Sequence, residues 1–375
     1  MPAPLLSPDA GLDPRRDGYA DSVHAVLLGG ALGDALGVPE VPAPGAGAGQ
    51  GGAHAPTGRG DDGPAAPLRI TAAAQLTLYT LDGLQEVVEW AHQGHSADET
   101  ACLWLAYLRW LRTQDEPDPA EAPRPLPRPI DDDRLLHAVR DPDTTVLEAL
   151  RSGRMGEVER PVQPDALGPG AVLRSAPFGL LPHVGWRTLA PLAVNGAALT
   201  HGHPEAQTAA AVHGFVVHAA VRARQEGAAR PVAEAVAAAR AAAEHLTRPV
   251  AGTVARIDDV VRAAGHRVPA TGASPRTEGT GPTAPEVLAG GLGAALRAEA
   301  ELAGSPDPQA VFRRAVALGT EDPGHGAGAV AGAVTGAALG TAALPPPWCA
   351  RLDARDAVSR AARRWLREVG ATSGA

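Results

Sequence analysis

The run AGAVAGAVTGAALGTAAL at residues 327–344 constrains the fold of this chain more than any other feature. It is rich in Ala and Gly, so it is too weakly hydrophobic for a membrane span, which needs about 20 strongly apolar residues. Small side chains instead let a helix approach its neighbours closely. The stretch LLGGALGDALG, which begins at Leu27, has the same character. We therefore expect tightly packed helices and no membrane span.

Apolar residues return at helical spacing along most of the chain, and no series of alternating strands is apparent. The pattern predicts an all-α protein. Ten helices are predicted, at residues 22–36, 75–92, 98–112, 144–152, 204–225, 232–246, 284–302, 308–318, 327–343 and 354–369.

Three segments that are rich in Gly or Pro interrupt the helices, at residues 45–67, 116–129 and 270–282. We predict irregular surface loops there. Because the helical pattern has the same character on both sides of each loop, none is interpreted as a domain linker. We expect one domain at residues 22–352, preceded by a flexible arm and followed by a C-terminal helix and tail.

Composition excludes several classes of protein. The net charge of -9, with scattered arginines, argues against nucleic acid as a partner, because phosphates attract clustered Lys and Arg. Cys102 and Cys349 are too few for a disulfide framework and lack metal-ligand spacing. The first residues show no signal-peptide pattern. These features predict a cytoplasmic protein.

The stretch RITAAAQL places Thr71 just ahead of the helix predicted from residue 75. A threonine at a helix start, with carboxylates close by, is a good place to hold an anion or a metal. Here Ala72 and Ala73 follow the threonine, so the carboxylates are missing. The loss is either incidental or marks an activity that this chain no longer has.

Two further motifs contain candidate ligand-binding residues. Asp34 lies inside an apolar run, where it either tethers a loop or serves a function, because a buried carboxylate needs partners in both cases. In GPGAVLRSAPFGLLP, Gly168 and Gly170 allow a ligand to approach the backbone. Arg174 of the same motif either meets a phosphate or pairs internally.

Histidines mark two more stretches. His201 and His203 in LTHGHPEAQ suggest metal or acid/base chemistry, but a capping or packing role is favoured because Glu205 is the only carboxylate nearby. In GTEDPGHG, the residues Glu321, Asp322 and His325 are of metal-binding types. The adjacent Pro323 and glycines equally describe a plain turn, which is the favoured interpretation from these residues alone.

Taken in order, GALGDALG, GPGAVLRSAPFGLLP, LTHGHP, GTGPTAPEVLAGGL and the Ala/Gly helix followed by LPPPW resemble the ADP-ribosylglycohydrolase family. The resemblance extends from about residue 22 to residue 352. It implies an orthogonal multi-helix bundle with a cleft that holds two divalent ions, Mg or Mn. It also implies ligand contacts from Asp34, Thr71, Gly168, Gly170, Arg174 and His201.

The metal motifs depart from the family pattern. Ala72 and Ala73 stand where the resemblance implies two aspartates, and Pro323 and His325 stand at the aspartates of a second cluster. Gly326 replaces the threonine of that cluster. Residual candidates for metal binding are Glu40, which is one residue early, Thr71, Asp322 and His325. Hard cations need several oxygen ligands, so no metal cofactor is expected.

Three hypotheses follow. The leading one is a catalytically inactive family member, a pseudoenzyme, that binds ADP-ribose, a related nucleotide or a protein partner through the remnant cleft. The second is an active hydrolase that rebuilt its site from Glu40, Glu321, Asp322, His325 and either His201 or His203. The third is a purely structural interaction protein.

Overall fold

A computed structural model describes residues 5–38, 66–247, 251–266, 281–321 and 326–371. Over these ranges the chain is helical and forms no strand, only isolated bridges such as Leu12 with Pro182. The helices are α1 Tyr19–Leu36, α2 Ala72–His92, α3 Glu99–Thr113, α4 Thr144–Arg151, α5 Gly170–Leu173, α6 Trp186–Ala198, α7 Pro204–Gln225, α8 Pro231–Ala243, α9 Ala251–His266, α10 Ala284–Glu301, α11 Pro308–Gly319, α12 Ala327–Leu339, α13 Pro346–Arg351 and α14 Arg355–Glu368. Short 3-10 turns cover Arg134–His137, Ala176–Leu180 and Thr341–Ala343.

Helices α1 and α12 pack backbone against backbone. A methyl group added at Gly33 would lie 1.9 Å from the carbonyl oxygen of Gly328, and one added at Gly332 would lie 2.1 Å from that of Gly29. Since real Cβ atoms do not approach other atoms so closely, only glycine fits at these positions. The small-residue stretches therefore make the closest helix contact of the described core, as the sequence predicted.

Helix α7 is buried along most of its length and contacts α6, α8 and α12. Helix α14 covers the outer side of α1 and α2. Its buried Trp365 donates from Nε1 to the hydroxyl of Tyr19 at 3.0 Å, and that hydroxyl donates to the carbonyl of Leu180 at 2.6 Å. These hydrogen bonds hold α1, which carries Asp34, against α14 and the turn Ala176–Leu180.

All ten predicted helices are present, but the prediction was wrong in two respects. Helices α6 and α9, with the short α5 and α13, were not predicted. In α6 the interior Pro191 breaks the sequence pattern, and the structure accommodates it on the exposed face of the helix. The prediction also extended α12 to residue 343, whereas it ends before Gly340, which has a φ of 79°.

The N-terminal residues before α1 were predicted to form a flexible arm. The described part of them, from residue 5, packs on the helices instead. Leu6 and Leu12 are buried, and the amide of His183 donates to the carbonyl of Leu12 at 2.8 Å. Residues 116–129 contain no helix and are mostly exposed, which confirms that predicted loop. Residues 45–65 and 270–280 of the other two lie outside the described residues.

None of the helices in the described ranges is both long enough and apolar enough for a membrane span.

Candidate functional site

Asp34 and Thr71 meet at the point where α1 ends and α2 begins. Asp34 lies in the last turn of α1 and is buried. Its two carboxylate oxygens accept from the amide of Thr71 at 2.6 Å and from the hydroxyl of Thr71 at 2.7 Å. Thr71 is the N-cap of α2, and its hydroxyl also accepts from the amide of Ala73 at 3.1 Å. Asp34 therefore tethers the start of α2.

A second set of contacts holds Ile70 and Ala72, the residues on either side of Thr71. Asp353 accepts from the amide of Ile70 at 3.3 Å and from the guanidinium of Arg140 at 2.5 Å. Arg140 also donates to the carbonyl of Ile70 at 3.1 Å, and its own carbonyl accepts from the amide of Ala72 at 2.9 Å. The position of Thr71 is thus fixed from both sides.

A small cavity, which we name the α2 cavity, lies between α1, α2, α7 and α12. Its volume is about 20 Å³, enough for about one water. Among the described residues that line it, Asp34 and His213 alone are titratable, and Ala73 is part of the wall. Because the Thr71 hydroxyl and both Asp34 oxygens already have partners, these residues do not fit the oxygen-rich ligand set that divalent ions need.

Burial dominates the titration of both groups. It raises the pKa of Asp34 from 3.8 to about 6, although the two hydrogen bonds from Thr71 oppose the increase. Burial also lowers the pKa of His213 from 6.5 to about 4, against a hydrogen bond to the carbonyl of Val172. The imidazole is therefore neutral at neutral pH, and the α2 cavity holds at most one negative charge.

This raised pKa predicts a pH-dependent contribution of Asp34 to stability. The folded chain holds the proton more tightly than the unfolded chain between pH 3.8 and about 6, so this contribution is full below pH 3.8 and is lost as pH rises through 6. Relative to Asp34→Asn, the wild-type free energy of unfolding should fall by about 2 to 3 kcal/mol between about pH 4 and about pH 7. Urea unfolding of both chains across this range measures it. A difference between the chains that stays constant with pH would contradict the prediction.

Arg174 makes internal contacts of the kind that the second of its two interpretations describes. Its Nη2 donates to the hydroxyl of Thr200 at 2.7 Å and to the carbonyl of Gly196 at 3.2 Å, and its Nε donates to the hydroxyl of Tyr107 at 3.1 Å. The guanidinium also stacks over the Tyr107 ring at 4.7 Å. It is almost completely buried and, in this conformation, faces the protein interior.

Gly168, Gly170 and His201 come together with Asp143, which the sequence did not single out as a ligand-binding residue. A methyl group at Gly170 would lie 2.6 Å from Asp143 Oδ2 and 3.0 Å from His201 Cε1, and one at Gly168 would lie 3.8 Å from His201 Nε2. Asp143 Oδ2 lies 3.8 Å from His201 Nε2, too far for a hydrogen bond. We name residues 168–170 the glycine loop.

His201 is fully buried and has one unpaired ring nitrogen. Its Nδ1 lies 2.7 Å from the hydroxyl of Thr200. That hydroxyl already accepts from Arg174, so its own hydrogen is assigned to Nδ1, and the proton of the neutral ring to Nε2. Burial, together with the charge of Arg174, lowers the pKa of His201 to about 3 and keeps the ring neutral. Nε2 is therefore a buried donor without a partner.

The remaining candidates divide into two groups. His203 caps α7, with Nδ1 accepting from the amide of Glu205 at 3.2 Å, which confirms the favoured capping role. Gly326 is the N-cap of α12 and has a φ of 75°. Four candidates lie outside the described residues: Glu40, Asp322, Pro323 and His325.

The structure adds Asp143, His213 and the Arg140–Asp353 pair to the predicted residues. The sequence carried a signal only for Asp143, because Asp-Thr-Thr is typical of a helix N-cap, and Asp143 does accept from the amide of Thr145. His213 lies on an apolar helix face, where a ligand and a core histidine look the same in sequence.

The fold and the site define an all-α protein with a small cavity between its glycine-rich helices. The family model of ADP-ribosylglycohydrolase matches residues 15–374, and the chain therefore belongs to the ADP-ribosylglycohydrolase family. The resemblance inferred from the sequence motifs is thus confirmed.

Solved structures support the same fold. A chain described as "ADP-ribosylglycohydrolase-related protein complex" is similar at a TM-score of 0.53 and 22% identity, over 94% of this chain and 99% of that chain. At this identity the likeness shows the fold alone. A search of curated proteins gives no match.

Proposed function

We propose that this chain is a non-hydrolysing member of its family that binds a ribonucleotide of the ADP-ribose class. The observation that carries the proposal is the composition of the α2 cavity wall, where Ala73 presents a methyl group beside Asp34. Asp34 is engaged by Thr71 through both oxygens. The described residues of the cavity wall add no further carboxylate, so this wall has no means to polarise a ribose oxygen or to activate water through divalent metal.

Ligand binding is supported by the glycine loop. The buried Nε2–H of His201 is a donor that lacks a partner, and such groups in folded proteins call for an explanation. Asp143, whose side chain is 32% exposed, stands over this donor. A ligand hydroxyl or phosphate oxygen that displaces the Asp143 carboxylate outward would accept from His201 directly. Gly170 leaves no Cβ to obstruct that approach.

Titration calorimetry with ADP-ribose, in EDTA and in Mn²⁺, tests the proposal. We expect binding of equal affinity in both buffers and no release of ADP-ribose from an ADP-ribosylated peptide. Mn²⁺-dependent binding with turnover would overturn it in favour of a rebuilt hydrolase site. Absence of binding in both buffers would overturn it in favour of the interaction protein.

A pair of histidine variants tests the location of the ligand. His201→Gln moves the buried donor and should weaken ADP-ribose binding by about tenfold, the loss of about 1.4 kcal/mol for one hydrogen bond. His203→Asn is the matched control, because asparagine is also a good N-cap and should leave the affinity unchanged. Equal losses in the two variants would place the ligand elsewhere.

Restoring the missing carboxylates tests the loss of the metal site. The combined variant Ala72→Asp, Ala73→Asp, Pro323→Asp and His325→Asp should unfold more easily than the native chain in EDTA, because the carboxylate at position 73 adds a like charge to the cavity that Asp34 lines. Mn²⁺ at about a hundredfold excess over its Kd should then stabilise the variant by about 2.7 kcal/mol. Thermal unfolding of both chains with and without Mn²⁺ measures this. A native chain that responds to Mn²⁺ as strongly as the variant would contradict the prediction.

A further inference from the structure

The segment PRPLPRP, with the alanine before it, has its backbone determined by proline. Each residue from 122 to 129 either is a proline or precedes one. Proline fixes its own φ near -65°, and the residue before a proline is confined to extended or polyproline II conformations. Residues 123–128 have no hydrogen-bonded secondary structure. We name residues 122–129 the proline segment.

Exposure along the proline segment repeats every three residues. Ala122 and Arg128 are half-buried and Pro125 is buried, whereas all residues between them and Pro129 are exposed. A polyproline II helix has three residues per turn, so one of its three edges faces the protein and two face solvent. The burial pattern therefore has the period of this helix.

The two free edges carry distinct chemistry. One edge presents Pro123, Leu126 and Pro129, and Leu126 is 81% exposed, more than any other large hydrophobic residue in the described ranges. The other edge presents Pro127 and Arg124, whose side chain is 84% exposed. The nearest acid to Arg124 is Asp118, at 3.6 Å on the surface, where such a pair contributes little.

The inward edge is anchored at several points. The carbonyl of Pro125 accepts from Nη1 of Arg112 at 3.2 Å. Arg128 donates to Asp82 at 2.8 Å and to Glu89 at 2.8 Å, and its amide donates to Asp131 at 2.8 Å. The segment is therefore held in its extended form before any partner arrives, which reduces the entropy lost on binding.

We propose that the proline segment is a docking site for a protein domain with an aromatic-lined polyproline groove and a carboxylate beside that groove. Such grooves bind preformed polyproline II helices through two edges. The edge of Pro123, Leu126 and Pro129 fills the groove, and the exposed Arg124 pairs with the partner's carboxylate. This proposal is independent of nucleotide binding, because it uses no residue of the α2 cavity or the glycine loop.

Domains of the SH3, WW and EVH1 classes use such grooves. To test the proposal, one ¹⁵N-labelled domain of each class is titrated with the intact chain. We expect at least one domain to show chemical-shift changes confined to its aromatic groove. Leu126→Glu and Arg124→Glu should each weaken that binding by about tenfold or more. Both substituted side chains are exposed, so thermal unfolding should be unchanged in the two variants.

Arg160→Glu is the matched control. Arg160 has an exposed side chain and lies outside the proline segment, so its variant should bind like the native chain. Three outcomes would overturn the proposal: silence of all three domains, shift changes outside the grooves, or equal weakening by the control. Sedimentation gives a fourth test. If the native chain self-associates and Leu126→Glu abolishes this self-association, a second copy of the chain occupies the proline segment and the proposal is overturned.

Discussion

Gly33→Ala should lower the free energy of unfolding by about 3 kcal/mol or more, because overpacking against backbone cannot be relieved by a change of rotamer. The added methyl would lie 1.9 Å from the carbonyl oxygen of Gly328 and 2.5 Å from its carbon. Helices α1 and α12 would have to separate to admit it. Since Gly33 precedes Asp34, the same movement would strain the hydrogen bonds from Thr71. Urea unfolding measures the loss of stability.

Gly30→Ala is a control in the same helix, three residues away. Its methyl would lie 3.5 Å from Cβ of Ala333, an ordinary van der Waals contact. Alanine is favoured over glycine in a helix interior by about 0.5 to 1 kcal/mol, so this variant should be as stable as the native chain or slightly more stable. Similar losses in both variants would mean that helix propensity, and not the contact between α1 and α12, governs this region.

The sequence predicted the helices well because apolar periodicity is a local property. It also predicted close packing at the two small-residue stretches, because small side chains let a helix approach its neighbours closely. It missed α6 because Pro191 ordinarily breaks a helix, and whether the exposed face can hydrate the freed carbonyl depends on tertiary structure. The sequence pattern of α6 does not show which of its faces will be exposed.

The site was harder to predict than the fold. The family resemblance implied that Asp34 and Thr71 both contact a ligand, but it did not predict their hydrogen bonds to each other. No spacing indicates those bonds, because Asp34 lies in the last turn of α1 and Thr71 caps α2. Arg174 could not be decided, because its internal partners Tyr107 and Thr200 come from distant parts of the chain. Local sequence gave no signal that Asp143 would stand over His201.

The sequence predicted that the proline segment is exposed, but it did not predict that the segment has a fixed conformation. Proline content alone is equally typical of a loose loop and of a fixed polyproline helix. Which of the two forms is present depends on the anchors, chiefly Arg128 and the carboxylates beneath it. We name Asp82, Glu86, Glu89 and Asp131 the carboxylate cluster. Its contacts with Arg128 connect the proline segment to the core.

Arg109→Met should destabilise the chain by about 3 to 5 kcal/mol at neutral pH, because it leaves buried carboxylates without a compensating charge. Arg109 is 3% exposed and donates to Asp82 at 2.7 Å. Its guanidinium also lies 3.6 Å from Glu86 and 3.7 Å from Asp131. Burial already raises the pKa of Asp131 above its ordinary value. The charge of Arg109 opposes this increase, so the pKa of Asp131 should rise further in the variant.

The pH dependence of this loss separates uncompensated charge from lost packing. Carboxylates with a raised folded-state pKa give stability that is lost as pH rises, so the cost of Arg109→Met should be smaller at about pH 5 than at about pH 7.5. The control is Arg314→Met, which breaks an ion pair with side chains 40% and 38% exposed and should cost about 1 kcal/mol at most. Adding Asp82→Asn to Arg109→Met should recover part of the loss, since it removes one uncompensated charge. A cost that is equal at both pH values would assign the effect to packing of the arginine side chain, and the carboxylate cluster would then be no more than a structural network around Arg128.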